Sequence, residues 1–232
     1  MVSAVLMLIL AYLLSAKLPQ VATSQMNYLE IFQSMARLML SERRLVYRAL
    51  IGAFCFAAMS ILFSTIAVLL TSSPFNLSDV FIGVVTLIGV FGALATTKIG
   101  KLADRGHTQI LTWLGILTFV ISWVFLYFGG QSLISYILGY GLISLALVLV
   151  HTSNQNIIFR LHPSAKSRIN SIYMTFYFAG GACGSALGVY AWHHGGWIMT
   201  CSVGLALVGG AALFTLLDHH YQSKFLTAKA EG

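Results

Sequence analysis

Charged residues are scarce in this chain: Asp, Glu, Lys and Arg make up only 8% of its 232 residues, whereas 58% are hydrophobic. A soluble domain carries about 25% charged residues, because its surface must stay hydrated. The apolar residues also come in long runs and do not alternate with polar ones. This composition excludes a soluble globular protein and indicates an integral membrane protein.

Cysteine is equally rare, and the three cysteines are single, far apart and inside apolar runs: Cys55, Cys183 and Cys201. This placement is typical of small core residues and not of a disulfide framework or a metal site. The pairs at 193–194 and 219–220 are histidines on neighbouring positions, which point to different faces of a helix and cannot share one metal ion. Hydrolase, zinc-protease and phosphate-loop motifs are absent. The sequence predicts no cofactor, no metal and no enzyme.

Seven apolar runs are long enough to cross a bilayer as helices, since a hydrocarbon core of ~30 Å takes about 20 helical residues. Lipid offers no partners for backbone N–H and C=O groups, so runs of this length are expected to be helices and not strands. They lie at 2–18, 45–70, 79–99, 108–128, 132–159, 167–192 and 197–217. The predicted fold class is an all-α membrane protein with seven transmembrane helices.

These runs divide the chain into four segments. Residues 1–18 are predicted to be a first transmembrane helix and not a signal peptide, because no basic residue precedes the apolar stretch. The linker 19–44 holds apolar residues at three- and four-residue spacing, which is typical of an amphipathic helix in the membrane interface. Residues 45–217 are expected to form a six-helix bundle, and 218–232 a tail.

Basic residues fall on one side of this layout. The short loops at 98–107 and 160–168 each hold three Lys or Arg, whereas those at 71–78, 129–131 and 193–196 hold none. By the positive-inside rule the basic loops are cytoplasmic, which places the N-terminus outside and the C-terminus inside. The net charge of +7 is therefore a topology signal. Because the cations are spread over several loops, no nucleic-acid partner is predicted.

A polar octapeptide, 100–107, lies between the third and fourth runs. Gly100 can adopt a close or left-handed backbone where a helix ends. Asp104 can cap a helix N-terminus, and Arg105 can pair with Asp104 or with lipid phosphate. The alternative is a generic positively charged turn.

Small residues line one face of the sixth run, where Gly180, Gly184 and Gly188 recur four residues apart. Such a face lets another helix approach closely, so we expect a packing seam. Sliding along this seam during transport is the alternative role.

Polar groups at membrane depth are costly and usually face a cavity or one another. Six polar side chains in the fifth and sixth runs are therefore candidates for a transport path: His151, Asn154, Gln155, Asn170, Tyr173 and Tyr177. His151 is the titratable side chain away from the predicted interfaces, which makes it the candidate proton site. Simple hydrogen bonds between helices are the alternative. No acidic residue is predicted inside a run, and Asp218 is expected to begin the cytoplasmic tail.

The octapeptide resembles the loop of the major facilitator superfamily with the pattern Gly-x-x-x-Asp-Arg-x-Gly-Arg/Lys, on Gly100, Asp104 and Arg105. Gly106 and His107 depart from its basic end. The stretches 154–160 and 167–181 are similar to the last part of bacterial drug- or sugar-efflux permeases. The resemblance covers essentially the entire chain. It implies the last helix of an N-terminal half, the central cytoplasmic loop and a complete C-terminal six-helix bundle.

The resemblance also implies a function: an efflux-type secondary transporter in a bacterial inner membrane, which rocks two bundles about a midplane site for a small organic solute. The octapeptide would then be a gating loop between the halves. An N-terminus outside the membrane without a signal suggests a missing upstream half, which would hold the carboxylate for any proton coupling. The other hypotheses are a truncated remnant or interaction subunit without transport activity, and an intramembrane enzyme.

Overall fold

The computed structural model describes residues 2–17 and 27–230, and helices make up all the regular structure in those ranges. Residues 18–26 of the predicted linker and 231–232 of the predicted tail lie outside the described residues. The described helices are α1 (Val2–Lys17), α2 (Tyr28–Ser41), α3 (Arg43–Thr71), α4 (Asp79–Thr86), α5 (Val90–Leu102), α6 (Thr108–Phe128), α7 (Leu133–Leu161) and α8 (Lys166–Ala230). A 3-10 turn at Leu87–Gly89 joins α4 to α5.

Among the described residues, four continuous helical segments are long and apolar enough to cross a membrane: Arg43–Thr71, Asp79–Phe128, Leu133–Leu161 and Pro163–Ser223. Two of them run for 50 and 61 residues, which is about 75 and 90 Å at 1.5 Å per residue. Each of these two contains a non-helical break, at Gly106 and at Gly195 and Gly196. The all-α membrane class is confirmed, and the count of seven spans stays a prediction.

The chain falls into two compact units, Met1–Ser34 and Met35–Gly232. The first contains α1, whose described side chains are exposed and apolar, as expected of a surface that faces lipid. The stretch of the linker with the amphipathic pattern forms helix α2, and the location of α2 in the membrane interface stays a prediction. The second unit holds α3 to α8. Because Gly196 breaks α8, we call 166–194 its first arm and 197–230 its second arm.

Helix α3 is the central helix of the second unit and packs on α7 and α8. The glycine seam on the first arm of α8 faces it. A Cβ added at Gly180 would lie 2.3 Å from the Ala53 carbonyl oxygen, and one at Gly184 would lie 2.2 Å from that of Ala57. Because these contacts are with backbone, the two helices can approach this closely only where the side chain is a single hydrogen.

The turn at 100–107 differs from its prediction in one respect. Gly100 lies inside α5 with no atom of another residue within 4 Å of an added Cβ, so it makes neither a close contact nor a left-handed backbone. The left-handed residue is Gly106, with φ +94°, at the break before α6. A glycine favours the left-handed backbone between the two helices, and here that residue comes six residues after Gly100.

Candidate functional site

A fully buried arginine, Arg48, lies in the second turn of α3 and contacts three other helices. Its Nε donates to Asp218 Oδ2 at 3.0 Å, and its Nη2 donates to the same oxygen and to Gln109 Oε1 at 2.7 Å. Its Nη1 donates to Thr112 Oγ1 at 2.9 Å and to Asn154 Oδ1 at 3.3 Å. A guanidinium has five N–H donors, so every donor of Arg48 has an acceptor.

Asp218 lies on the second arm of α8 and is also 0% exposed. Besides Arg48, it accepts a hydrogen bond from Arg44 Nε at 3.2 Å, and Arg44 Nη2 donates to Gln222 Oε1 at 2.8 Å. Asp218 was expected to begin the cytoplasmic tail; in the structure it is a buried residue of the second arm of α8, and the tail stays a prediction. The missed signal is its spacing from the preceding run: 208, 211, 215 and 218 recur at three and four residues and are all buried.

We call these seven residues the Arg48 network: Arg44, Arg48, Gln109, Thr112, Asn154, Asp218 and Gln222. It ties α3, α6, α7 and the second arm of α8 together at the ends where α3 and α6 begin. Removing one partner of a buried ion pair costs about 3–5 kcal/mol, because the remaining charge is left without compensation. The network therefore fixes these helix ends against one another.

Tyr173, on the first arm of α8, connects the Arg48 network to His151 on α7. Its Oη lies 3.1 Å from His151 Nδ1 and 3.5 Å from Asn154 Nδ2. The Tyr177 ring lies 4.9 Å from the imidazole, centroid to centroid. Tyr173 is fully buried and His151 is half-buried. Three helices, α3, α7 and α8, therefore meet through polar side chains at this level.

A cavity of about 180 Å³ opens beside His151. Its lining comes from α5, α7 and the first arm of α8: Thr96, Leu147, Val148, His151, Thr152 and Tyr177. Of the six predicted path residues, His151 and Tyr177 line this cavity, and Asn154 and Tyr173 lie behind it. Gln155 and Asn170 are half-buried and belong neither to its lining nor to the Arg48 network.

The octapeptide forms a second, exposed polar cluster. Asp104 Oδ1 accepts a hydrogen bond from Asn156 Nδ2 at 2.7 Å, and Arg160 Nη2 donates to the Asp104 carbonyl oxygen at 3.2 Å. Within the described residues the Asp104 carboxylate bonds to Asn156, and no ion pair joins it to Arg105. The cluster fastens the turn between α5 and α6 to the last turns of α7.

In the part of the chain that the structure describes, no three His, Cys, Asp or Glu side chains come together to hold a metal ion. The polar side chains that do converge are donors and acceptors of hydrogen bonds, and one of them, His151, is both titratable and beside a cavity. This arrangement can bind a solute and exchange a proton, and it lacks the paired nucleophile and base of a hydrolase.

Residues 1–185 match the family model of the Major Facilitator Superfamily. The chain is 39% identical over 207 residues to the "Uncharacterized transporter YgaY" of Escherichia coli O157:H7, a match that covers 89% of this chain and 52% of the relative. It is 30% identical over 153 residues to the "Probable transporter SCO4007" of Streptomyces coelicolor, which covers 64% of this chain and 34% of the relative.

A third relative is the "Uncharacterized MFS-type transporter YybF" of Bacillus subtilis, 25% identical over 160 residues, or 68% of this chain and 39% of the relative. The chain thus spans about half the length of the first of the curated relatives it matches, and less of the other two. All three printed names describe transporters, and none describes an enzyme. Because the family model matches most of its length and the chain is 39% identical to YgaY, this multi-pass membrane chain belongs to the Major Facilitator Superfamily of transporters.

Proposed function

We propose that this chain acts as the C-terminal half of an efflux-type permease and forms one wall of the pathway for a small organic solute. The observation that carries the proposal is the cavity between α5, α7 and the first arm of α8, which combines apolar side chains with His151 and Tyr177. Ligand sites are mostly apolar, with a few polar groups that fix orientation. The match to about half of YgaY supports the proposal that this chain corresponds to one half of a transporter.

The small volume of the cavity favours a solute site that is completed by a second helical bundle. A site that encloses a small organic ligand has about 300–1,000 Å³, whereas the cavity beside His151 has about 180 Å³. Secondary transporters place their site near the bilayer midplane between two bundles, and they move solute by rocking one bundle against the other. The proposal therefore includes an N-terminal half as partner and a solute site shared between the halves.

Proton coupling in this half is assigned to His151. It is the side chain of the cavity lining whose ordinary pKa lies near neutral pH, and no Asp or Glu accompanies it there among the described residues. An imidazole changes charge within the physiological pH range, which is what a coupling site requires.

The same proposal fixes the setting of the chain. The basic loops at 98–107 and 160–168 face the cytoplasm of a bacterial cell, with the helices in the inner membrane. The loop that carries Gly100, Asp104 and Arg105 is then the gating loop on that side. The glycine seam on the first arm of α8, which faces α3, is where helices would slide as the bundle changes state.

A chain without transport activity of its own, either a remnant or an interaction subunit, is the second candidate. The observation that favours it is again the coverage of YgaY, of which only 52% is matched. The two candidates differ in what happens when an N-terminal half is supplied.

Co-expression separates them. This chain is expressed alone and together with the first half of YgaY, and cellular accumulation of a panel of labelled drugs and sugars is measured. We expect reduced accumulation of at least one solute only when both halves are present, and His151→Ala to abolish it. His194→Ala is the matched control, because His194 is an exposed histidine that bonds only the Tyr190 carbonyl in the described structure.

Two results would overturn the proposal. The first is transport by this chain alone at the level of the co-expressed pair. The second is full activity of His151→Ala alongside loss of activity in His194→Ala.

A further inference from the structure

We propose that Asn154 and Tyr173 are positioning residues that hold His151 in one tautomer, so that its Nε2–H is the hydrogen offered to the cavity. The inference deepens the proposed function and rests on it for the identity of the cavity as a solute site. It implies a solute with a hydrogen-bond acceptor, such as a carbonyl, carboxylate or ether oxygen, against this wall.

The first step fixes the side-chain amide of Asn154. The Arg48 guanidinium can only donate, so the atom that faces its Nη1 at 3.3 Å must be the oxygen, Oδ1. The Arg48 backbone carbonyl can only accept, so the atom that faces it at 3.2 Å must be Nδ2. Two independent partners therefore require the same orientation of one amide, and no flipped alternative satisfies both.

The second step fixes the hydroxyl of Tyr173. Its Oη has two polar neighbours, Asn154 Nδ2 at 3.5 Å and His151 Nδ1 at 3.1 Å. The Asn154 nitrogen offers hydrogens and has no lone pair to accept one. Among the described residues His151 Nδ1 is the acceptor that the buried hydroxyl hydrogen of Tyr173 can reach, so the hydroxyl donates to it, and this is also the shorter contact.

The third step fixes the imidazole. A neutral histidine has one donor nitrogen and one acceptor nitrogen, and Nδ1 is the acceptor here, so the hydrogen is on Nε2. No described residue hydrogen-bonds to Nε2, and His151 lines the cavity. A second proton would have to enter at Nδ1, and the Tyr173 hydroxyl would then have to turn away.

Packing keeps this chain of hydrogen bonds intact. Asn154 and Tyr173 are both 0% exposed, so water has no access to replace either partner. Gly52 of α3 gives the phenol its room, since a Cβ there would lie 2.7 Å from Tyr173 Oη. The position of the hydroxyl is therefore set from three helices at once.

The test is a nitrogen-15 NMR spectrum of the full chain with labelled histidine, in lipid nanodiscs at about pH 8, above the ordinary histidine pKa of about 6.5. We expect His151 to show a protonated Nε2 and an unprotonated Nδ1. His194 serves as an internal reference of the opposite kind, because its Nδ1 lies 2.8 Å from the Tyr190 carbonyl oxygen and must donate to it. The signals are assigned by their loss in His151→Gln and His194→Gln.

Two variants test the positioning itself. Tyr173→Phe removes the donor, and we expect His151 to become a mixture of tautomers while His194 is unchanged. Asn154→Asp keeps the size of the side chain but replaces the donor that faces Tyr173 with an acceptor. We expect the Tyr173 hydroxyl to donate to the new carboxylate, and the hydrogen of His151 to move from Nε2 to Nδ1.

A wild-type spectrum with the proton on His151 Nδ1 would overturn the inference, and so would a spectrum that Tyr173→Phe leaves unchanged. The wild-type measurement decides the question even where a variant fails to fold. Because it is made without solute or partner half, it is independent of the transport assay. A correct tautomer with no transport rejects the function alone, and transport with the wrong tautomer rejects the positioning alone.

Discussion

The Arg48 network and the Asp104 cluster use the same chemistry in two different environments. Each contains an aspartate, an arginine and an asparagine, and the asparagine of each lies on α7, where Asn154 and Asn156 are only two residues apart. Arg48, Asp218 and Asn154 are 0% exposed, whereas Asp104 and Arg160 are exposed to solvent. Water competes for the exposed contacts and cannot reach the buried ones, so burial decides what each hydrogen bond contributes.

The difference suggests a division of roles. A buried polar network in which every donor of its central arginine is satisfied specifies one arrangement of helices, because any other arrangement leaves charge unpaired in a low dielectric. An exposed cluster can break and form again at little cost, which suits a loop that must release during a conformational change. Four sets of substitutions, taken in order of expected effect, test this comparison.

The largest effect is expected for the ion pair. Arg48→Ala or Asp218→Ala leaves the partner charge buried and should lower the free energy of unfolding by about 3–5 kcal/mol. Thermal unfolding in detergent measures it. Arg160→Ala, which removes an exposed arginine, is the control and should change stability by less than about 1 kcal/mol.

The double variant Arg48→Met, Asp218→Leu sharpens this prediction. Replacing both charges by apolar side chains removes the desolvation penalty together with the attraction, so the double variant should be more stable than either alanine variant. Equal losses in all three would show that the network does not act as a pair of coupled charges.

The second effect concerns the glycine seam. Gly184→Ala places a methyl 2.2 Å from the Ala57 carbonyl oxygen and should destabilise the bundle by about 1–3 kcal/mol, because two helix backbones must separate. Gly209→Ala, on the second arm of α8, is the matched control, since an added Cβ there meets nothing within 4 Å. If Gly209→Ala were the more damaging of the two in the same unfolding assay, the close approach on α3 would be refuted.

The third effect distinguishes two glycines of one loop. Gly106 has φ +94°, so Gly106→Ala should cost about 1 kcal/mol or more. Gly100 is helical and unobstructed, so Gly100→Ala should be neutral or stabilise by up to about 1 kcal/mol. The two substitutions should therefore have opposite signs in one thermal unfolding assay, and equal signs would contradict the placement of the reversal at Gly106.

The smallest effect is expected for the exposed cluster. Asp104→Asn removes the charge that accepts a hydrogen bond from Asn156 and should change the free energy of unfolding by less than about 1 kcal/mol. If the loop is the gate, the same variant should still alter transport by the co-expressed halves. A destabilisation as large as that of Asp218→Ala would remove the distinction between the two clusters.

The sequence predicted the helices well because a membrane imposes their length and apolar character. The fourth run was placed at 108–128 and α6 is Thr108–Phe128, while the second run was placed at 45–70 and α3 is Arg43–Thr71. Such bounds depend on local composition alone. The α-helical membrane class follows from the same local information.

Contacts between distant positions could not be read in this way. The predicted seventh run ended before Asp218 because Asp218 is charged. In the structure Asp218 is buried, because Arg48, 170 residues away in sequence, compensates its charge. His151, Asn154 and Tyr173 were chosen individually as polar groups at membrane depth, but their hydrogen bonds depend on how α7 packs against α8. The close or left-handed backbone expected at Gly100 is not found there, and the left-handed residue is Gly106, because the motif gives residue types and not backbone dihedrals.

The most direct test of the proposed pathway is the access of water to the cavity beside His151. Two variants are made in a background with the three cysteines replaced by alanine: Thr152→Cys, in the cavity lining, and Phe178→Cys, at an exposed position on the first arm of α8. Both are reconstituted in proteoliposomes and treated with a membrane-impermeant thiol reagent. A solute pathway predicts labelling of Thr152→Cys and none of Phe178→Cys, whose exposed side chain we expect to face lipid. An unlabelled Thr152→Cys, or equal labelling of both, would contradict the account.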